Sequence, residues 1–277
     1  MSDKLRFALF GNEYLSQKSA SVREVLRCLA AHGAEVSMDG EGSELHADYA
    51  ISLGGDGTFL RTAARVGALG IPIIGINAGR LGFLADVMPA DIETAIDDIC
   101  RQNILIENHV AIQMNAYDAD GKPVLQDLCA LNDIALLKRD NASMISIHTR
   151  IDGKLLTTYQ ADGLVVATPT GSTAYNLSNG GPIMVPGTGI LCLTAVAPHS
   201  LNIRPIVIND ESEIELRVES RSHHYLVAVD GRSENLPEGT VVKIKKAPYK
   251  VKVVRRRTNN YFDTLRNKLM WGADVRE

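Results

Sequence analysis

The sequence predicts an α/β domain with a mostly parallel sheet, then an all-β sandwich domain, then a final helix. Strand and helix patterns alternate through the first ~100 residues, which is typical of α/β domains. After residue 104, short apolar segments follow one another closely between turn signals, which is typical of a sandwich. Near the end, Phe262, Leu265 and Leu269 recur at helical spacing. We therefore expect domains at residues 1–104 and 105–258, and a helix within 259–277 that docks on the first domain.

The first domain is predicted to contain four strands and three helices. Expected strands cover residues 5–10, 35–38, 49–53 and 73–77; expected helices cover 21–32, a run ending at 66, and 91–100. The first helix carries Val22, Val25 and Leu29 on one face, and Gly33 follows it where a C-terminal cap glycine belongs.

The second domain is predicted to consist of strands alone. Expected strands include residues 111–117, 131–137, 145–151, 155–160, 164–167, 213–218, 225–230, 241–244 and 251–254. Asp152-Gly153 between two of these segments predicts a tight hairpin. The helix near the end is expected at residues 261–270. The run Arg255-Arg256-Arg257 is expected to be a solvated face, or an inter-subunit or interdomain salt-bridge site.

Composition excludes several classes of protein. The 277 residues include 29 Lys+Arg and 33 Asp+Glu, a net charge of −4, whereas a general nucleic-acid binder usually carries a basic excess. Aromatic residues make up 5%, which disfavours base stacking. No apolar window reaches the ~20 residues that span a bilayer, and the apolar stretch near the N-terminus is too short for a signal peptide. Four isolated cysteines predict buried thiols in a reducing, cytoplasmic setting.

A glycine-rich loop, Gly54-Gly55-Asp56-Gly57-Thr58, lies between a predicted strand and a predicted helix. Glycines let a ligand approach the backbone, and a helix start offers free N–H groups to phosphate. A carboxylate repels phosphate, so the presence of Asp56 in such a loop indicates a specific function. It could act as general base on an attacking hydroxyl, or hold a metal ion that bridges phosphates. The alternative is that Asp56 or Thr58 only caps the helix.

A second cluster, residues 168–176, is rich in hydroxyl side chains and follows the predicted strand 164–167. Such a run is suited to hydrogen-bonding a polar ligand, although an ordinary turn before a Ser/Thr-capped helix would read the same way. The pairs Asn132-Asp133 and Asp162-Gly163 each precede or open a strand. Each pair alone is also compatible with a simple turn.

Taken together, the glycine loop, Asn132-Asp133 and the Thr168–Tyr175 run resemble, in order and spacing, the ATP-NAD kinase family of bacterial type. Supporting stretches are residues 77–84, His199-Ser200-Leu201, Arg204-Pro205 and Val229-Asp230-Gly231. The resemblance implies a Rossmann-like N-terminal α/β domain and a C-terminal β-sandwich, with NAD in the cleft between them. It also implies transfer of the γ-phosphate of ATP to the 2′-hydroxyl of the adenosine ribose of NAD, with Mg²⁺ or another divalent cation. Family members are commonly homodimers or homotetramers.

The resemblance also implies roles for individual residues. Asp56 matches the proton acceptor, Asn132 the adenine contact, and Asp133 the ribose contact, where the family often has Glu. Asp162 matches an acidic residue near the nicotinamide. The phosphate loop is Gly54, Gly55, Gly57 and Thr58, and no residue is assigned to a metal. Further NAD contacts are expected at Gly57, Arg61, Thr173, Ala174, Tyr175, Asn176, Leu177 and Ser178. Arg232 stands where many relatives carry Gln. Gln160 stands where some relatives carry a basic residue.

Two alternatives remain at the level of sequence. A lipid kinase of the diacylglycerol type shares the glycine loop but usually continues with Asn-Glu, where this chain has Phe59-Leu60-Arg61. A non-catalytic NAD(P)-binding sensor would have no use for Asp56 opposite phosphates. The sequence therefore favours an enzyme that takes ATP and NAD as small-molecule partners, with neither nucleic acid nor membrane.

Overall fold

The computed structural model describes residues 4–11, 20–38, 45–77, 82–139, 143–258 and 260–272. The elements, in chain order, are β1 (Arg6–Gly11), α1 (Ala20–Ala31), β2 (Glu35–Met38), β3 (Tyr49–Leu53), α2 (Asp56–Val66), β4 (Ile73–Ile76), α3 (Ile92–Cys100), β5 (Ile104–Tyr117), β6 (Pro123–Ala130), β7 (Asp133–Lys138), β8 (Ile145–Ile151), β9 (Lys154–Ala161), β10 (Gly163–Ala167), α4 (Tyr175–Ser178), β11 (Ile190–Val196), β12 (Ile206–Asn209), β13 (Ile214–Glu219), β14 (His224–Val229), β15 (Arg232–Pro237), β16 (Val241–Arg256) and α5 (Tyr261–Leu269).

The chain forms two compact units, one of Met1–Asn108 with Val251–Glu277 and the other of His109–Lys250. The chain passes from one unit to the other within β5 and again within β16. The domain limits expected from the sequence, at residues 104 and 258, stay predictions. None of the helices in the described ranges is long and apolar enough to cross a membrane.

The first unit is built on a parallel sheet in the order β2-β1-β3-β4. The predicted mostly parallel sheet is therefore confirmed. Helices α1 and α3 bury their apolar faces on it, and the core they share with the strands includes Phe7, Leu9, Val22, Val25, Leu29, Ile51, Leu53, Ile74, Ile76, Ile92, Ile96 and Ile99. The N–H of Gly54 donates to the carbonyl of Ile76 at 2.9 Å. The glycine loop therefore lies at the carboxyl edge of the sheet, where α/β folds bind ligands.

Two arginines of the basic run are mostly shielded from solvent and form ion pairs. Arg255 Nη1 lies 2.7 Å from Asp86 Oδ2, and its Nε lies 3.3 Å from Glu107 Oε2. Arg256 Nε lies 3.4 Å from Asp98 Oδ2. Since the side chains of Arg255 and Arg256 are only 12% and 14% exposed, the expected solvated face is wrong for both. Their partners all lie in the first unit, so the ion pairs stabilise that unit internally.

The second unit is a β-sandwich, as the sequence predicts. One sheet has the order β12-β11-β10-β7-β14-β15, and the other has the order β16-β13-β8-β9, with β5 also pairing with β16 and β6 pairing with β5. Buried side chains from both sheets form one core, including Ile112, Ile134, Ile147, Leu164, Leu193, Leu216, Tyr225 and Ile244. Asp152 and Gly153 have φ of 51° and 74° and join β8 to β9, which confirms the predicted hairpin.

The strand pattern differs from the expectation at several places, and two of them illustrate the physical reason. Residues 241–244 and 251–254, expected as two strands, belong to the single 16-residue strand β16, because its intervening polar residues keep the pairing conformation. Strand β15 was not expected, since its sequence Arg-Ser-Glu-Asn-Leu-Pro is polar and exposed at five of six positions. It lies at the edge of its sheet, where strands face solvent on more than one side.

Candidate functional site

The predicted site residues fall into two groups, one in each unit, and the first is the glycine loop. Helix α2 begins at Asp56 with Gly55 as its N-cap. A Cβ at Gly54 would lie 2.3 Å from Thr58 Oγ1, so a larger residue there would collide. Gly55 and Gly57 are exposed, and a Cβ at either would meet nothing within 4 Å. The helix start is therefore open on the side where a ligand would approach.

Asp56 does not cap its helix but holds a second loop of the same unit. Its Oδ2 accepts the N–H of Phe83 at 2.8 Å, and its Oδ1 accepts the N–H groups of Leu84 and Ala85 at 2.9 and 3.1 Å. A Cβ at Gly82 would lie 2.0 Å from Asp56 Oδ1. The N-cap residue Gly55 makes no side-chain bond, and within the described part of the chain the side chain of neither Asp56 nor Thr58 accepts a backbone N–H group of its own helix, so the capping alternative is wrong for both.

The carboxylate of Asp56 keeps room for one more donor. A carboxylate offers about four acceptor positions on its two oxygens. Oδ1 receives two of the three N–H groups and Oδ2 receives one. The residue is partly exposed, and Oδ2, which accepts only one N–H group, has acceptor capacity left for a hydroxyl group from solvent or from a ligand.

Arg61 is one turn further along α2 and is exposed. Its Nη2 donates to Thr58 Oγ1 at 3.2 Å, which places its guanidinium beside the glycine loop. Of the stretch 77–84 that supports the resemblance, residues 78–81 lie outside the described residues.

The second group is organised by Asp230, whose role the sequence did not reveal. Its Oδ2 accepts the N–H of Leu131 at 2.8 Å, and its Oδ1 accepts those of Asn132 and Asp133 at 2.8 and 3.2 Å. Asp230 and Gly231 have φ of 47° and 78° and form the turn between β14 and β15. The Asp-Gly pair predicts such a turn, but nothing local shows that its carboxylate reaches residues about a hundred positions earlier.

Asp133 is buried at the start of β7, where burial and the nearby Asp230 raise its pKa to about 7. Burial also raises the pKa of Asp230, although three N–H donors and Arg232 oppose that shift. Because those donors favour a charged Asp230, Asp133 is the member of the pair that takes a proton more readily. Near neutral pH, Asp133 therefore changes between its two protonation states.

Most hydroxyls of the second cluster bond within the protein. Thr168 Oγ1 donates to the carbonyl of Leu131 at 2.5 Å, and Ser172 Oγ donates to the carbonyl of Pro169 at 2.7 Å. His109 Nδ1 and Thr170 Oγ1 lie 2.8 Å apart, both residues being buried. A Cβ at Gly171 would lie 2.1 Å from the carbonyl oxygen of Asn132. The cluster thus packs tightly against Asn132, and the hydroxyls of Thr168 and Ser172 fix the local backbone by hydrogen bonds to its carbonyl groups.

The segment from Thr173 to Ser178 presents side chains of different accessibility. Thr173 and Ala174 are partly exposed, whereas Tyr175 and Ser178 are exposed. Asn176 is fully buried; its Nδ2 donates to the carbonyls of Ser172 and Pro182, and its Oδ1 accepts the hydroxyl of Thr194 at 2.6 Å. Its amide is therefore engaged internally, which gives it a positioning role for the segment.

Asp162 is not brought next to Asn132 and Asp133 within the chain. Asp133 pairs with Ala167 at one end of β10, and Asp162 precedes Gly163 at the other end. Five residues of strand separate these positions by about 17 Å. Asp162 instead forms an ion pair with Lys138 at 2.8 Å. Asp162 therefore lies at the opposite end of β10 from the Asn132-Asp133 pair, and its assignment toward the nicotinamide stays a prediction.

Comparisons with known proteins point to one family. The model of the ATP-NAD kinase N-terminal domain matches residues 41–104, and that of the ATP-NAD kinase C-terminal domain matches residues 131–256. The NAD kinase of Bacteroides fragilis is 50% identical over 98% of this chain and 100% of that protein. The NAD kinase of Porphyromonas gingivalis is 39% identical over 98% and 99%.

Solved structures agree in fold. Yeast NADH kinase complexed with NADH has a TM-score of 0.89 at 20% identity, covering 99% of this chain and 90% of that chain. An NAD kinase from Archaeoglobus fulgidus in complex with ATP has a TM-score of 0.79 at 27% identity, covering 96% and 98%. Neither the lipid-kinase nor the sensor alternative gains support from these similarities. With both domain models matched and half of its residues shared with a relative over nearly its full length, the chain belongs to the ATP-NAD kinase family.

Proposed function

We propose that the chain transfers the γ-phosphate of ATP to the 2′-hydroxyl of the adenosine ribose of NAD, which yields NADP and ADP. The observation that carries the proposal is the Asp56 carboxylate, fixed by three N–H groups at the open start of α2 with acceptor capacity left on Oδ2. Family membership supports the substrates, since the relatives are named NAD kinases.

Asp56 activates the sugar hydroxyl as a nucleophile by accepting its proton. Such a hydroxyl is a weak nucleophile at neutral pH, and a carboxylate that accepts its hydrogen bond orients it and takes its proton during attack. The three N–H donors hold Asp56 in one orientation, so little reorganisation is needed when the hydroxyl arrives. We assign Asp56 the role of proton acceptor.

Asn132 and Asp133 form the proposed adenosine contacts. Asn132 Oδ1 is buried and has no hydrogen-bond partner among the described residues. An unsatisfied buried acceptor is costly, and the amino group of adenine would provide the missing donor. Asp133 would accept a ribose hydroxyl. The remaining proposed contacts are Gly57, Thr173, Ala174, Tyr175, Leu177 and Ser178, with Asn176 holding this segment in place and Asp162 assigned toward the nicotinamide.

The phosphates of ATP are proposed to lie at Gly54, Gly55, Gly57 and Thr58, with Arg61 nearby. Free N–H groups and the helix dipole favour an anion at such a site. Within the described ranges no cluster of three or more His, Cys, Asp or Glu side chains could cage a metal ion. A divalent cation such as Mg²⁺ would therefore enter as part of the substrate, bound mainly by phosphate oxygens.

The direct test is an assay of the purified protein with MgCl₂, ATP and NAD, in which NADP is measured by an NADP-specific dehydrogenase. Formation of NADP is expected. A parallel reaction with diacylglycerol tests the lipid-kinase alternative, and NAD binding without turnover would indicate the sensor. Reactions with NADH or polyphosphate define the preferred acceptor and donor.

We also propose that the protein works in the cytoplasm as a homodimer or homotetramer, as is common in the family. Light scattering coupled to size-exclusion chromatography measures the mass in solution. A mass of two or four times 30.0 kDa is expected, and a monomeric mass would contradict the proposal.

A further inference from the structure

Lys268, near the end of α5, has its ammonium group inside the first unit. Its Nζ is buried and has no hydrogen-bond partner among the described residues. It lies 4.5 Å from the centre of the Phe83 ring. Lysine side chains usually extend the ammonium into water. A buried ammonium whose donors lack acceptors costs free energy, and a cation–π contact offsets only part of that cost.

The surroundings of Lys268 connect it to Asp56. The backbone N–H of Phe83 donates to Asp56 Oδ2 at 2.8 Å, while the ring of the same residue faces Lys268. The charged groups that act on Lys268 are Asp56 and Asp86, which favour the ammonium, and Arg255, which opposes it. Burial outweighs the two acids and lowers the pKa of Lys268 to about 8.

Neither acid serves as the missing acceptor. Asp86 pairs with Arg255 at 2.7 Å, and Asp56 accepts three backbone N–H groups. No hydrogen bond or ion pair joins either carboxylate to Lys268 within the part of the chain that the structure describes. An anionic group that enters beside Asp56 would supply the acceptor and remove the cost of the buried cation.

We propose that Lys268 Nζ binds a phosphate oxygen of ATP at the site where the γ-phosphate is transferred. This inference rests on the proposed function. In that step the 2′-oxygen bonds to the γ-phosphorus while the bond from this phosphorus to the bridging oxygen breaks. The electron pair leaves with ADP, and the hydroxyl proton goes to Asp56. Lys268 keeps its proton and neutralises negative charge on the phosphates, which is the main requirement of phosphoryl transfer.

Three variants separate this role from packing. Lys268→Met keeps the length of the side chain and its contact with Phe83 but removes the charge. Lys268→Arg keeps the charge. Arg266→Met is the matched control, because it removes a positive charge from the same helix at a side chain that is 58% exposed. NADP formation is measured for each variant at varied ATP and at saturating NAD, together with the thermal midpoint and the Kd for NAD.

Lys268→Met should lower kcat/KM for ATP by about 10-fold or more, the loss expected for a hydrogen bond to a charged group. Its thermal midpoint should be equal to or higher than that of wild type, because the substitution removes a buried charge, and its Kd for NAD should stay close to wild type. Lys268→Arg should retain most of the activity, and Arg266→Met should match wild type within about twofold. Wild-type kcat/KM for ATP should fall as pH rises above about 8, and Lys268→Arg should shift that fall to higher pH.

If wild type makes NADP and Lys268→Met has the same kcat/KM for ATP within twofold, the inference is overturned while the proposed function stands. A loss of activity in Lys268→Met that is matched by a loss of stability or of NAD binding would also overturn it, since that pattern indicates packing. If wild type makes no NADP, the proposed function fails, and the inference fails with it.

Discussion

Asp56 and Asp230 perform the same structural task in different units. Each carboxylate accepts three consecutive backbone N–H groups, from residues 83–85 and 131–133 respectively. Those N–H groups lie outside regular pairing or at its edge, so the acid satisfies them and fixes the local backbone. Each site thus depends on an acid that is distant in sequence from the loop that it orders.

Asp133 should couple stability and substrate binding to pH. Its folded-state pKa, about 7, lies above the ordinary value of 3.8. Between these values the folded state binds a proton that the unfolded state does not, so the free energy of unfolding falls as pH rises from about 4 to 7. Asp133→Asn removes the buried charge, and at pH 8 it should be more stable than wild type by about 2 kcal/mol.

The stability gain of Asp133→Asn should shrink toward pH 5, where wild-type Asp133 is protonated. Urea unfolding at the two pH values measures this difference. At pH 8 the KM for NAD should rise by about 10-fold, because an amide accepts a ribose hydroxyl less strongly than a carboxylate does. A variant that is less stable at pH 8, or whose KM is unchanged, would contradict the assignment.

At the scale of elements, the Asp56 carboxylate joins the start of α2 to the loop 82–85. Position 82 requires glycine, because a Cβ there would lie 2.0 Å from Asp56 Oδ1. Packing within the protein does not require glycine at position 57, because a Cβ there would meet nothing within 4 Å. If NAD binds against this helix start, the two glycines serve different purposes.

Gly82→Ala should lower both the thermal midpoint and NADP formation, since the loop or the carboxylate must move. Gly57→Ala should leave the thermal midpoint unchanged or higher, because alanine within a helix is favoured over glycine by roughly 0.5–1 kcal/mol. Its NADP formation should nevertheless fall, because the added methyl group occupies space that we assign to NAD. Full activity in Gly57→Ala would place NAD elsewhere.

Elements with strong local patterns could be predicted from the sequence. Strands β2, β3 and β8 have the predicted bounds, and α1 begins and ends within one residue of its prediction. Strand β15 could not be predicted, because its pairing with β14 stabilises a polar segment with no alternation of its own. From sequence, the hydroxyl run at 168–176 is compatible with a ligand-binding cluster or with an ordinary turn. The sequence could not show that the hydroxyls of Thr168 and Ser172 donate to backbone carbonyls, because those bonds depend on tertiary contacts.

At the scale of the whole molecule, sequence motifs predict the candidate site, and the structure shows which residues hold the predicted site residues in place. Asp56, Asn132 and Asp133 stand out in the sequence because acids and amides beside glycine turns suggest ligand contacts. Asp230 and Phe83 lie in stretches that support the family resemblance, and Lys268 does not, but the sequence does not show what any of the three contacts, because the partners lie between 27 and 185 residues away. Long-range contacts of this kind leave no local pattern.

The measurement that tests the central claim most directly is turnover of Asp56→Asn at saturating ATP and NAD. The amide oxygen can still accept N–H groups from Leu84 and Ala85, whereas the amide nitrogen faces the N–H of Phe83, so a modest loss of stability is expected. NAD binding should persist. Loss of the proton acceptor should reduce NADP formation by at least ~10²-fold. Turnover within a few-fold of wild type would contradict the role of Asp56 in the reaction.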